Sequence, residues 1–272
     1  MRILYLGGGL GNQIFEYAVY MYLKRKYPED KLYTYYNKKS FSEHNGLEIT
    51  RFFQVDLPHP PFFAKAVLGF FFILKKLFGC NKWTDTSGPI IQNENAICIA
   101  GYRDNKRYIP NNPDWLQFNT PELSQKNKVT LEKINDSDSV FLHVRRGDYL
   151  APKYKKLFEG TCTLEYYKKA IELMKLKHPD ATFFVFSNDM EWTKKNIFNL
   201  GKRVVYVDWN QGDNSYLDMF LMSHCKAGIM ANSTFSFWGA KIGSRKDIIY
   251  PAKWSNSPFG NPDIFDEDWI SI

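Results

Sequence analysis

Along this chain of 272 residues, apolar and polar positions follow two rhythms. From Ser139 onward, short runs rich in β-branched and aromatic residues alternate with segments of helical spacing, at intervals of roughly 20 to 30 residues. Ser139–Val144 is a nearly continuous apolar run and predicts a buried strand. A helix is expected over Leu164–Leu176, a buried strand over Thr182–Phe186, a helix over Met190–Phe198 and a strand over Arg203–Val207. Tyr216–His224 then predicts a helix, Gly228–Ala231 a strand, Thr234–Ile242 a helix opened by Ser and Thr, and Asp247–Tyr250 a last strand. That alternation is the rhythm of βαβ units around a parallel sheet.

The front of the chain begins in the same way. Arg2–Leu6 reads as a strand, a glycine turn follows, Asn12–Lys26 reads as a helix, and Lys31–Tyr36 as a tyrosine-rich strand. Regularity then fades over residues 50–128, where Pro-rich turns, the segment Phe62–Phe78 and a short strand near Ala96–Ala100 assign no topology. The polar stretch Ser124–Asp138 is the expected boundary, giving domains 1–130 and 131–272, each long enough for its own core.

Composition narrows the classes. With 44% hydrophobic, 17% aromatic and 24% charged residues the chain is globular, not disordered, and ring-rich. Cys80, Cys98, Cys162 and Cys225 lie far apart without a Cys-x-x-Cys pair, which suggests neither zinc knuckle nor disulfide framework and points to a reducing compartment. No secretion signal opens the sequence, and its longest apolar stretch, Ala66–Leu74, is too short to span a bilayer, so a cytoplasmic protein is expected. The first 130 residues hold 17 basic and 11 acidic side chains, so they carry +6 of the net charge of +7. Interleaved acids argue against a nucleic-acid stripe, whereas an anionic membrane surface suits that asymmetry as well as a merely solvated basic face does. Phe62–Phe78, flanked by Lys65, Lys75 and Lys76, reads either as an interfacial helix making peripheral contact with the inner membrane face or as an internal hydrophobic helix.

Candidate chemistry gathers where strands meet helices. Gly7-Gly8-Gly9-Leu10-Gly11-Asn12 could receive a phosphate on backbone amides or form only a tight turn; it lacks both the dinucleotide fingerprint and a Walker lysine. His143-Val144-Arg145-Arg146-Gly147-Asp148 follows a buried strand, at the sheet edge where open α/β folds bind ligands. Arginine forks suit a departing diphosphate, and Asp148 could orient one of them; the bland alternative is an Arg–Asp pair beside a core histidine. Asn232-Ser233-Thr234-Phe235-Ser236 opens another helix and offers either a second phosphate cradle or ordinary N-capping. Ser187-Asn188-Asp189 ends a third strand, and Asp218 lies on the helix before the Asn-Ser-Thr loop, where a carboxylate could accept from a purine. Either could be a cap or a surface acid. Three strands delivering polar loops to one edge make a diphosphate site the economical reading.

Gly8-Gly9-Leu10-Gly11-Asn12-Gln13-Ile14-Phe15, the basic run at 143–148 and Asn232-Ser233-Thr234-Phe235-Ser236-Phe237-Trp238-Gly239-Ala240 together resemble, in order, the three motif regions of family 11 α1,2-fucosyltransferases. The resemblance implies an α/β, GT-B-type glycosyltransferase with two Rossmann-like domains facing a cleft. It also implies GDP-fucose as donor, bound by the C-terminal domain, and inverting transfer without metal. The acceptor would be the 2-hydroxyl of galactose in an oligosaccharide or lipid-linked glycan. It assigns Arg145 to the diphosphate, His143 to the nucleotide, Asp218 to guanine, Ser233 and Thr234 to phosphate, and Asn12 and Gln13 to the fucose side. Arg146, Ser187, Asp189 and Asn232 complete the expected donor set, with Asp148 beside Arg145. Glu16 stands where such enzymes often carry Gln; one helical turn beyond Asn12, it is the thin candidate for a base, a packing role being the alternative.

No cofactor or metal is expected. Asp136-Ser137-Asp138 precedes its strand and so belongs at the wrong edge, and Asp266-Glu267-Asp268 lies in a tail of turns. The rival readings are a fucosyltransferase of α1,6 or protein O-linked type and a non-catalytic glycan- or nucleotide-binding module.

Overall fold

The computed structural model describes every residue except 42–43, 87, 111–114, 198 and 244–246, with 38 and 39 described by backbone alone. The chain divides into two α/β units, Met1–Asn119 with Pro262–Ile264, and Thr120–Asn261 with Phe265–Ile272.

The first unit runs β1 (Arg2–Tyr5), α1 (Leu10–Lys26), β2 (Leu32–Tyr35), α2 (Ile49–Phe52), α3 (Phe62–Phe78), β3 (Thr84–Asp85) and β4 (Cys98–Ile99). Its sheet is parallel, in the order β2-β1-β4-β3. Helix α1 starts at Leu10, before the expected Asn12, because Gly9 enters it in an extended conformation and needs no side-chain cap. Lys24, Arg25 and Lys26 then close it against the negative end of its dipole.

The irregular region resolves around a buried ion pair. Arg103, wholly buried, pairs with Asp85 and donates to the carbonyls of Gly88, Ile90 and Ala100. The second carboxylate oxygen of Asp85 accepts from the Gln92 and Asn93 amides, both at 2.7 Å. One arginine and one aspartate thus satisfy backbone that regular elements would otherwise satisfy, which is how two two-residue strands persist in a buried sheet.

The second unit runs α4 (Gln125–Asn135), β5 (Ser139–Val144), α5 (Pro152–Phe158), α6 (Leu164–Lys177), β6 (Thr182–Ser187), α7 (Met190–Asn196) and β7 (Val204–Val207). It continues with α8 (Tyr216–His224), β8 (Ala227–Ile229), α9 (Thr234–Ile242), β9 (Ile248–Tyr250) and β10 (Ile270–Ser271). The six strands are parallel, ordered β10-β9-β8-β5-β6-β7. From β5 the chain winds outward through β6 and β7, returns, and winds the other way through β8, β9 and β10. The reversal between β5 and β8 is the switch point at which doubly wound sheets bind ligands. Val140, Leu142, Val185 and Ile229 of the sheet pack on Tyr167, Ala170, Ile171 and Met174 of α6.

Some expectations needed correction. The division falls after Asn119, ahead of the polar stretch: Ser124 caps α4, whose buried Asn127 donates to Asn210 and accepts from the Trp209 indole in the second unit. Asp247–Tyr250 is not the last strand; β10 follows, too short to register as a pattern. Helix α7 ends at Asn196, and the expected end at Phe198 lies outside the described residues.

Candidate active site

The β5–β8 switch point collects the strongest motifs. Strand β5 delivers His143, 4% exposed, and continues into the basic loop. Asp148 Oδ2 accepts from Arg145 Nη2 at 2.7 Å, while its Oδ1 accepts from Asn188 Nδ2 at 3.0 Å. Asn188, reaching over from the end of β6, also accepts from the backbone amides of Arg146 and Gly147 at 2.8 and 3.2 Å. The guanidinium of Arg145 is therefore aimed by a carboxylate that is itself held by a second strand. Arg146 differs: it pairs with Asp189 at 3.2 Å and lies over the Trp192 ring at 4.4 Å, so its charge serves the loop.

From the neighbouring strand, Asn232 donates to the Trp254 carbonyl at 2.9 Å, and Ser233 caps α9 by accepting from the Phe235 amide. Tyr149 ties the two loops together. Its hydroxyl donates to the Asn232 carbonyl at 2.9 Å, and its ring stacks on Phe158 with centroids 3.9 Å apart. Tyr166 in turn donates to the Met230 carbonyl at 2.6 Å, fixing the end of β8 from beneath.

Three buried polar atoms at this point have no hydrogen-bond partner among the described residues: His143 Nδ1, Arg145 Nε and Asn232 Oδ1. Orphaned polar atoms are costly in a protein interior, and their clustering at a switch point is what a polar ligand resolves. Burial, aided by the Arg145 charge, lowers the His143 pKa to about 3, so the ring is neutral at physiological pH. The nine-residue helix α9 adds the positive end of its dipole.

Of the other candidates on this unit, Ser187 and Asp189 are occupied locally. Ser187 Oγ accepts from the Asp189 amide, and Asp189 caps α7 through Trp192. Asp218 sits half-buried in the first turn of α8, accepting from Asn210 at 2.8 Å, and burial pushes its carboxyl up to about 8. The acidic triplets lie elsewhere. Asp138 precedes β5 and lies 2.9 Å from His178 Nδ1, and Asp266 accepts from Lys241. Among the described residues no cluster of three or more His, Cys, Asp or Glu could hold a metal ion.

In the first unit the glycine turn follows β1, beside the loop after β4. Gly8 has φ of 73°, in the left-handed region that favours glycine, and a Cβ there would also press on the Tyr102 hydroxyl at 2.9 Å and on Asn12 Nδ2 at 2.8 Å. Gln13, fully buried, donates to the carbonyls of Gly8 and Gly46 and accepts from the amides of Glu48 and Ile49, which exhausts its side chain. Buried Glu16 accepts from the Gly7 amide at 2.9 Å, and burial raises its pKa well above the usual carboxylate value. Geometry gives both residues the task of holding the turn.

With this arrangement in view, residues 87–272 match the model of glycosyl transferase family 11. The chain belongs to that family. It is 30% identical to the alpha-1,2-colitosyltransferase of Escherichia coli over 98% of this chain and 97% of that protein. It is 32% identical to human galactoside alpha-(1,2)-fucosyltransferase 1 over 47% of this chain and 35% of that one. The fold of this family 11 glycosyltransferase, two parallel α/β units of GT-B type, is shared with the Bradyrhizobium NodZ alpha-1,6-fucosyltransferase co-crystallised with GDP. The TM-score is 0.52 at 16% identity, covering 87% of this chain and 90% of that one.

Two residues that organise this candidate site escaped the sequence reading. Asn188 is embedded in a motif read for its hydroxyl and carboxylate, and only the β5–β6 register, with Val144 opposite Ser187, brings its amide to the basic loop. Tyr149 adjoins Asp148, but nothing local says that its hydroxyl reaches residue 232.

Proposed function

We propose that this glycosyltransferase moves L-fucose from GDP-β-L-fucose onto the 2-hydroxyl of a galactose-type residue, with inversion to the α anomer. The observation that carries the reading is the Arg145 guanidinium, aimed by Asp148 beside the unsatisfied His143 and Asn232 atoms at the switch point. In the reaction the bond from fucose C1 to the diphosphate oxygen breaks, its electron pair leaving with GDP, while the acceptor oxygen bonds C1 from the opposite face and passes its proton to water. Charge accumulates on the leaving diphosphate, so fixed positive charge there favours the transition state over the ground state. Arg145 supplies it, Ser233, Thr234 and the positive end of the α9 dipole receive the phosphates, neutral His143 donates or accepts a hydrogen bond at the nucleotide, and Asp218 accepts from guanine. Asn12 is assigned to the fucose side; Gln13 and Glu16 act as positioning residues for the glycine turn.

Arginine and the α9 N-terminus can neutralise the leaving group without a metal ion, so transfer should continue in excess EDTA. The four cysteines are free thiols, which supports action in a reducing, cytoplasmic compartment. A second donor is favoured by the match to the colitosyltransferase along nearly its whole length. Colitose is fucose without the 3-hydroxyl, and competition between the two GDP-sugars separates these readings. The reading itself is tested by Arg145→Ala: turnover at saturating GDP-fucose should fall on the order of 100- to 1000-fold with the melting temperature preserved. Retention of more than about a tenth of wild-type turnover would remove Arg145 from the role.

A further inference from the structure

Helix α3 turns its apolar side outward. Phe62, Phe63, Phe70, Ile73, Leu77 and Phe78 are 55% to 87% exposed, whereas the inward side buries Ala64 and Leu68 against Ile3 and Cys98. Positions 62, 66, 69, 70, 73 and 77 recur at intervals of three and four residues, so they form one stripe along the helix. Lys65 and Lys76 stand four residues before and seven after Gly69, which puts both along one border of that stripe. A surface helix normally directs such a stripe at the core, and single exposed apolar residues are common, but six large ones on one helix mark an interaction surface.

Charge indicates what meets it. From Leu57 to Thr84 there is no Asp or Glu, and there are four lysines, at 65, 75, 76 and 82. Beyond the left-handed Gly79 that ends the helix, the Lys82 ammonium lies 4.9 Å over the Trp83 ring, and Trp83 packs against Phe71. An aromatic, apolar stripe with a lysine border and no acid nearby is the chemistry of a helix lying in the plane of an anionic bilayer surface. Spanning is excluded for α3, since no helix among the described residues is long and apolar enough to cross a membrane. A second copy of this chain fits worse, because self-pairing of one stripe brings like-charged lysine borders together without a carboxylate to receive them.

We propose that α3 docks this glycosyltransferase on anionic lipid, its Phe, Ile and Leu stripe at the acyl boundary and Lys65 and Lys76 at the headgroup phosphates. The full chain is to be co-sedimented with vesicles of phosphatidylglycerol and phosphatidylethanolamine, and with vesicles of phosphatidylcholine alone, at low and high salt. Two double variants accompany it, Ile73→Glu with Leu77→Glu and Lys65→Glu with Lys76→Glu; all four positions are exposed, and circular dichroism and melting temperature check the fold. The wild type should bind the anionic vesicles, about tenfold or more less to phosphatidylcholine or in high salt, and each folded variant should lose about tenfold or more. Should the apolar-face variant misfold, the lysine variant alone decides. No sedimentation of the wild type with anionic vesicles overturns the proposal, as does a folded variant that binds them like the wild type. A wild-type dimer in light scattering that Ile73→Glu with Leu77→Glu turns into monomer would overturn it in favour of a second copy.

Discussion

His143 and Asp218 are both moved by burial, in opposite senses. With its pKa lowered to about 3, His143 stays neutral throughout the working range, so pH dependence near neutrality does not come from its ring. Asp218, raised to about 8, is mostly protonated at pH 7 in the free protein. Guanine presents ring and amino N–H donors, which favour the carboxylate, so binding would expel the proton. The affinity for GDP-fucose, whose diphosphate does not titrate here, should therefore rise with pH, by about tenfold from pH 6.5 to 7.5. Calorimetry in two buffers of different ionisation enthalpy should detect that released proton, and Asp218→Asn should abolish both effects. A flat affinity over this interval would take Asp218 away from the guanine. Elsewhere at this scale, residue types were legible and their partners were not. Glu16 shares a helix face with Asn12, as spacing requires, yet its carboxylate closes on Gly7, because the glycine turn bends back over the helix start.

Elements were legible in proportion to how local their causes are. Helices α8 and α9 begin and end as their pattern and flanking residues predict, and β5 stands out as one buried run. Strands β3, β4 and β10 have two residues each; β4 falls within the short strand expected near Ala96–Ala100, whereas β3 and β10 left no pattern, and the Asp85–Arg103 pair that supports β3 and β4 joins positions eighteen apart, beyond any local window. Strand β8 shows how tightly the site's support is packed. A Cβ on Gly228 would fall 2.0 Å from a ring carbon of Phe141 on adjacent β5, closer than any side chain tolerates. Gly228→Ala should destabilise the second unit by about 1–3 kcal/mol or more, read as a lower denaturant midpoint with unchanged slope. An unchanged midpoint would mean that β5 and β8 do not pack as described.

At the scale of the molecule, the α/β alternation foretold the parallel sheet of the second unit, the family resemblance implied a second α/β domain, and each sheet proves to contain a reversal of strand order. In the first unit the glycine turn and Tyr102 border the β1–β4 reversal; in the second the basic loop and the Asn-Ser-Thr loop border that of β5 and β8. Strand order was illegible because parallel strands are paired by crossovers, whose destinations are set by packing at long range. Convergence of loops at one edge was legible, since in parallel sheets every strand delivers its following loop to the same side. The central claim, α1,2 transfer of fucose by this family 11 enzyme, is tested most directly by product analysis. GDP-fucose is incubated with a β-galactoside acceptor such as lactose, and the product is examined by NMR for anomeric configuration and linkage. A single α-linked fucose on the galactose 2-hydroxyl is the expected result. A β-linked product, fucose at another hydroxyl, or no transfer to any galactose-ended acceptor while GDP-fucose is still bound would contradict it.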